Sequence, residues 1–237
     1  MTRRRWIADE FTPGSAALTG GHAAHLARTL RARVGQEFDV VCGERVCRAT
    51  VSAVADDRVE FALAEEVSPG VGIVPITLLL AIFKFDRMEW AIEKCTELNV
   101  TAIVPVIARR TEKHLAQAAG KRVERWRRIA REAAQQSRRT SPPEITEPIK
   151  LREALQFEAE RKVVLAETER EAALSHIIQS DENLRSLALA VGPEGGWIED
   201  ELEAFAVAGW VTASLGDTIL RAETAAIAAL AIARAEA

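Results

Sequence analysis

Up to about residue 70 the apolar positions come in short runs that alternate with polar ones, the period-two pattern of half-buried strands. Glu37–Cys42, Val46–Val54 and Arg58–Val67 read as strands, turned at Cys42-Gly43-Glu44-Arg45 and at Asp56-Asp57. One helix interrupts them. From Gly21 to about Ala32, Ala24, Leu26, Ala27 and Leu30 make a partial apolar face, while His22, His25, Arg28 and Arg31 recur three residues apart on the other. The segment Val67-Ser68-Pro69-Gly70-Val71-Gly72 then reads as a boundary, giving a domain over residues 1–70 and another over 73–237.

Beyond the boundary, strand and helix alternate. Ile76–Phe83 is a continuous apolar run, and Arg87–Leu98 is helical, with Met88, Ala91, Ile92, Cys95 and Leu98 on one face. Strands follow at Val100–Ile107, Val163–Ala166, Leu187–Val191 and Val211–Leu215, with helices at Lys121–Arg139, Trp197–Ala208 and Ala222–Ala235. Strands apolar on both faces and separated by helices predict an α/β fold with a parallel sheet. The last helix is nearly free of charge around its circumference, so it must be buried, either on its own sheet or against a partner subunit.

With 237 residues, 48% of them hydrophobic, the chain can bury a sizeable core, which excludes a disordered or fibrous protein. The net charge of −4 argues against a wholly basic nucleic-acid coat, but it hides an asymmetry. Residues 1–35 sum to +4 and residues 121–139 to +6, leaving −14 elsewhere, so two local patches can meet a polyanion. Charge runs on helices are commonly solvated faces, yet eight cations against two anions in residues 121–139 equally suits nucleic acid. Three cysteines, Cys42, Cys47 and Cys95, make neither a disulfide framework nor a C-x-x-C pair. No apolar run has the length of a signal peptide or of a membrane span, and these features together predict a soluble protein of the cytoplasm that neither enters nor lies on a membrane. His22 and His25 lack a third ligand, so no metal is expected.

The sharpest local feature is Val191-Gly192-Pro193-Glu194-Gly195-Gly196-Trp197, a glycine loop between a buried strand and a helix. In open parallel sheets ligands bind at the carboxyl ends of strands, where glycine lets backbone approach them. A phosphate cradle would need Lys and Ser or Thr after the glycines, whereas Trp197 and Ile198 stand there and Glu199, Asp200 and Glu201 fill the first helical turn. A nucleoside without phosphates, and carrying positive charge, suits the loop better. A second strand end runs Ser214-Leu215-Gly216-Asp217-Thr218-Ile219-Leu220-Arg221-Ala222-Glu223, in which Arg221 and Glu223 read most simply as an ion pair and helix cap. The acidic strand end Leu165-Ala166-Glu167-Thr168-Glu169 is placed on the same sheet edge.

On these residues the chain resembles the SPOUT superfamily of RNA methyltransferases, within it the group that methylates N3 of a uridine in small-subunit (16S) ribosomal RNA. The matching segments are the N-terminal Arg cluster, His25-Leu26-Ala27-Arg28-Thr29-Leu30-Arg31, Lys84-Phe85-Asp86-Arg87-Met88-Glu89 and Lys94-Cys95-Thr96-Glu97-Leu98. They continue through Arg125-Trp126, Ala133–Arg138, Pro142-Pro143, Gly192–Trp197 and Leu220–Ala225. The resemblance implies a small PUA-like β-barrel at the N-terminus, a C-terminal α/β domain with a deep trefoil knot, and a homodimer. It implies S-adenosylmethionine as cofactor, enclosed by Thr168, Gly192, Pro193, Glu194, Gly195 and Gly196 and by Ser214, Leu215, Gly216, Ile219 and Leu220. RNA contacts are expected from Arg3, Arg4, Arg5, His25, Arg28, Arg31, Lys84, Arg109 and Arg110.

For the chemistry, uridine N3 becomes nucleophilic as the imide anion, so a base or nearby cations are needed. Arg138 and Arg221 are the candidate cations, Glu194 and Glu223 the candidate bases. Two departures from the family pattern stand out: Asn99 where a helix-ending glycine is usual, and Asp217-Thr218 in place of a commoner Pro-Arg pair. Asn takes the left-handed cap conformation almost as well as glycine. Two other readings remain open: an RNA-binding assembly factor without catalysis, and a methyltransferase of transfer RNA or of a ribose hydroxyl.

Overall fold

The computed structural model describes residues 5–43, 45–67, 74–181 and 184–237. Arg3, Arg4, Glu44 of the first turn and the boundary at residues 68–72 lie outside the described residues. By internal contacts the chain divides into two units, Met1–Gly72 with Arg131–Pro142, and Ile73–Ala130 with Pro143–Ala237. Residues 131–142 thus group with the N-terminal unit, an assignment that a linear boundary near residue 70 does not contain.

The first unit carries a mixed six-stranded sheet. Its strands are β1 (Arg5–Ile7), β2 (Glu10–Thr12), β3 (Ser15–Thr19), β4 (Glu37–Cys42), β5 (Arg45–Val54) and β6 (Arg58–Val67), in spatial order β1-β4-β5-β6-β3-β2. Among the described residues only β1 and β4 of this sheet pair in parallel. Register shifts between Cys47 and Ala49 and between Val51 and Ala53 add local twist, and the sheet curls into a half-barrel. Period two is plain in β6, where Val59 and Phe61 are buried beside Trp6, Leu18, Leu26 and Val51. The expected single helix is instead α1 (Gly20–Ala24) followed by a π-turn over His25–Thr29, which breaks the three-residue recurrence of the basic face.

The second unit is a seven-stranded, wholly parallel sheet: β7 (Ile76–Ala81), β8 (Ala102–Ile107), β9 (Glu144–Ile145), β10 (Ile149–Lys150), β11 (Arg161–Leu165), β12 (Leu187–Val191) and β13 (Val211–Ala213). The order is β10-β8-β7-β12-β11-β13, with β9 also on β8. Alternate residues of β7 enter separate cores. Leu78 and Leu80 pack with Met88, Ile92, Trp126 and Leu230, whereas Leu79 and Ala81 pack with Val104, Trp197 and Phe205. That double burial is why these strands read as unbroken apolar runs. The helices are α2 (Phe85–Glu97), α3 (Lys113–Ala118), α4 (Val123–Gln136), α5 (Leu151–Ala154), α6 (Leu174–Gln179), α7 (Glu199–Val207) and α8 (Ala222–Glu236).

Asn99 closes α2 with φ of 65°, the left-handed cap that the sequence suggests, and its carbonyl and that of Val74 accept from the Arg234 guanidinium of α8. The single helix expected over residues 121–139 is shorter than that: a 3-10 turn covers Ala119–Arg122, α4 ends at Gln136, and Arg138 takes φ of 63°. Helix α8 buries Ala226, Ala229, Leu230 and Ala233 on its own sheet, leaving Thr224, Ala231 and Ala235 exposed.

Candidate active site

Three adjacent parallel strands, β12, β11 and β13, end at Val191, Leu165 and Ala213, and all three residues line one pocket. The loops that follow those strands form its walls. Thr168, the whole Gly192–Gly196 stretch, Ser214–Gly216, Ile219 and Leu220 line it, so every residue singled out for the cofactor faces one space. The glycine loop is a tight turn closed by Gly196 N donating to Pro193 O at 2.8 Å, with Gly196 at φ of 69°, a conformation β-carbons disfavour. Behind it, the Nε1 of buried Trp197 lies 3.2 Å from where a Gly192 Cβ would stand.

The loop after β11 is held by Glu169, whose Oε1 accepts from the backbone N–H groups of Arg170, Glu171 and Ala172 at 2.9, 2.8 and 3.0 Å. Those three donors hold its carboxyl below the usual carboxylate range. The loop after β13 is tied to the same region, because Ser214 N donates to Ala172 O and Leu174 N to Ser214 O, at 2.8 and 3.0 Å. Ser214 Oγ accepts from Gly216 N at 3.1 Å and fixes the turn.

The pocket is amphiphilic. Leu165, Val191, Leu215 and Leu220 supply apolar wall, Glu167 and Glu194 bring carboxylates, and Arg110 and Arg170 bring guanidinium groups. The first turn of α7 remains acidic, as the sequence indicates, but its three acids differ. Glu201 is buried and turns back, accepting from Ile198 N at 3.1 Å and from Arg109 N at 2.7 Å. Such a space suits a ligand with a flat apolar part and charges of both signs better than a polyphosphate, which Glu167 and Glu194 would repel.

Of the four candidate catalytic residues, Glu194 alone lines the pocket; it is exposed, and its Oε1 accepts from Lys84 N at 3.3 Å. Glu223 is buried and pairs with Arg87 of α2 at 3.2 Å, not with Arg221 as the sequence suggests. Arg221 is the exposed N-cap of α8, and Arg138 belongs to the first unit, where its carbonyl accepts from Arg5. Burial lowers the Arg5 pKa, partly offset by Asp39. Among the described residues the remaining RNA candidates are accessible. Lys84, Arg31, Arg109 and Arg110 are exposed, Arg28 is exposed and paired with Asp56 at 3.0 Å, and half-buried His25 lies 6.3 Å from the Trp6 ring.

Arg110, Glu167, Arg170 and Thr218 also line the pocket; of these only Arg110 had a role assigned from the sequence, and that was RNA contact. Strand-end position flags Glu167, Arg170 and Thr218, whereas Arg110 follows a different strand, β8, and no local signal directs it here.

A family model described as an RNA methyltransferase domain matches residues 72–234. The chain belongs to this RNA methyltransferase family. It is 33% identical over 228 residues to a ribosomal RNA small subunit methyltransferase E of Synechocystis, covering 94% of this chain and 74% of that one. The crystal structure of the ribosomal RNA small subunit methyltransferase E of Neisseria gonorrhoeae bound to S-adenosyl methionine is 31% identical, with TM-score 0.86 and coverage of 97% and 96%. A putative methyltransferase of Legionella pneumophila, solved with bound SAM, is 27% identical, with TM-score 0.87 and coverage of 99% and 98%.

Proposed function

We propose that this protein methylates small-subunit (16S) ribosomal RNA with S-adenosylmethionine as donor, and that the acceptor is N3 of a uridine. The observation that carries the reading is the amphiphilic pocket at three parallel strand ends, in a chain similar almost end to end to small-subunit methyltransferases. The cofactor fits the residues present: apolar walls for adenosine, and opposite charges at Glu167, Glu194 and Arg170 for a zwitterionic tail beside a sulfonium. Incubating the protein with labelled S-adenosylmethionine and small ribosomal subunits, followed by nucleoside mass spectrometry, should yield 3-methyluridine. Label in transfer RNA or on ribose alone would favour the relatives' other chemistries, and S-adenosylmethionine binding without transfer would favour an assembly factor.

When bound, S-adenosylmethionine supplies an electrophilic methyl group on a sulfonium. Catalysis by the chain is then chiefly positioning and desolvation. Val191, Leu215 and Leu220 exclude water, while the backbone of Gly192–Gly196 and Ser214–Gly216 offers hydrogen-bonding edges. Glu194 is the candidate base for the N3 proton of uridine, a role supported by its exposed position in the pocket lining. Arg221 and Arg138, the cations that the sequence suggests for the resulting anion, do not line this pocket, and their part in the reaction stays a proposal from the family resemblance. Glu223, committed to Arg87 in the core, orients α8 against α2.

The same reading extends to architecture and setting. A trefoil knot is supported by the path of the chain after β13: residues 214–221 leave the sheet edge, bond to residues 172–174, and lead into α8 against β7 and β12 at the sheet centre. A PUA-like fold for the first unit is supported by its curled mixed sheet. A homodimer is supported by the outer face of α8, where Thr224, Ala231 and Ala235 are exposed in the single chain. The setting is the cytoplasm, where small subunits are assembled. No helix among the described residues is long and apolar enough to cross a membrane.

A further inference from the structure

Of the three glycines of the loop, Gly195 is the one that a side chain approaches most closely. The three heavy atoms nearest a Cβ built there belong to Arg110: Cδ at 3.1 Å, Cβ at 3.7 Å and Cγ at 3.9 Å. Its φ is not in the left-handed region, unlike that of Gly196, so conformational freedom does not account for the glycine. Arg110 also donates from Nη1 to the Gly195 carbonyl, across 85 residues of sequence.

The segment that carries Arg110 is fixed on both sides. Arg109 N donates to Glu201 Oε1 at 2.7 Å, and Glu201 Oε2 accepts from Ile198 N at 3.1 Å, so this carboxylate ties the far end of the glycine loop to the turn after β8. On the other side, Thr111 Oγ1 accepts from Ala108 N and donates to Ile82 O, both at 3.1 Å. The turn that carries the Arg110 side chain is thereby held. The side chain lies over Gly195, its stem where a side chain would be and its guanidinium on the loop's carbonyl.

We propose that Arg110 is a positioning residue that clasps the glycine loop, and that residue 195 is glycine to seat the Arg110 stem and not to admit the ligand. The inference rests on the reading of this pocket as the methyl-donor site. It reassigns Arg110 from RNA contact to the shape of the pocket wall, and it ties the loop after β8 to the loop after β12 through a single side chain.

The test is a double-mutant cycle with Arg110→Ala, Gly195→Ala and their combination, after thermal unfolding has shown that each variant folds. Binding of S-adenosylhomocysteine and of S-adenosylmethionine is measured by calorimetry. Loss of one charge-assisted hydrogen bond near the surface predicts roughly tenfold weaker binding for each single variant. The double variant should be no weaker than Arg110→Ala, because the added methyl then has nothing to displace. Arg110→Lys, which can make the same single donation, should bind within about threefold of wild type.

In the ligand-free protein, hydrogen exchange of the peptide containing residues 192–198 should quicken in Arg110→Ala. A Gly195→Ala penalty that persists undiminished without Arg110 would overturn the proposal, since Gly195 would then face the ligand itself. So would unchanged affinity and exchange in Arg110→Ala, or a Lys variant as weak as the Ala variant. Wild-type protein that binds neither compound would defeat the reading of the pocket, and the exchange result would still decide the clasp.

Discussion

At residue scale the three acids of the α7 first turn look equivalent in sequence, and the fold makes them unequal. Glu199 and Asp200 are exposed, while Glu201 is buried with two backbone donors. Glu201→Ala strands both N–H groups, a loss of about 1–3 kcal/mol, whereas Glu199→Ala forfeits only a dipole interaction of about 0.5 kcal/mol. Chemical denaturation of the two variants should separate them, and equal losses would refute the distinction. The cysteines make a second case. Burial pushes the Cys95 thiol up to about 12, and burial beside Cys47 pushes Cys42 up to about 11. Native protein at pH 8 should therefore leave Cys42 and Cys95 unmodified by a disulfide reagent, and both should react once it is unfolded. The Asn99 cap was legible because the left-handed conformation is a property of that residue and its place. Arg110 and Glu201 were not, because their partners lie 85 and 92 residues away and only the assembled sheet brings them together.

At the scale of elements, periodicity located the strands that are buried on both faces, such as Leu187–Val191, and the stripe of α2. It missed β9 and β10, two residues each, which are too short to show a period. It also joined α1 to the π-turn after it, because a π-turn adds a residue without changing composition. The convergence of three loops on one pocket was legible from a rule about strand ends rather than from any single motif. For α8 the sequence posed two modes of burial. The structure shows one face on the sheet and the other, with Thr224, Ala231 and Ala235, exposed. If that second face is the dimer interface, Ala231→Glu should convert a particle of twice the 25.9 kDa chain mass into a monomer, as light scattering would show. A wild-type protein of 25.9 kDa at micromolar concentration would reject the proposed dimer.

At the scale of the whole molecule the two basic segments look alike in composition and differ in how their charge is spent. Arg125 of α4 grips Glu89 with two bonds of 2.7 and 2.8 Å, Arg122 lies over Phe85 at 4.8 Å, Arg127 binds the Ile145 carbonyl, and Arg131 pairs with Asp9 at 2.5 Å. Those guanidinium groups hold the fold together, and a polyanion would have to displace their partners to use them. Among the exposed cations, Arg31, Lys84 and Arg109 have no ion pair among the described residues. Counterion release makes the slope of log affinity against log salt shallower by about 0.7–0.9 for each phosphate that is no longer neutralised. Arg31→Ala and Lys84→Ala should each flatten that slope for small-subunit RNA and leave the unfolding midpoint within a degree or so of wild type. Arg125→Ala should do the reverse, lowering the midpoint by a few degrees while the slope barely changes, because its partner Glu89 is largely buried and is left without its main cation. Filter binding across a salt series, run beside thermal unfolding of the same preparations, measures both quantities. A flattened slope for Arg125→Ala with no loss of stability would show that the cations of α4 are spent on RNA after all.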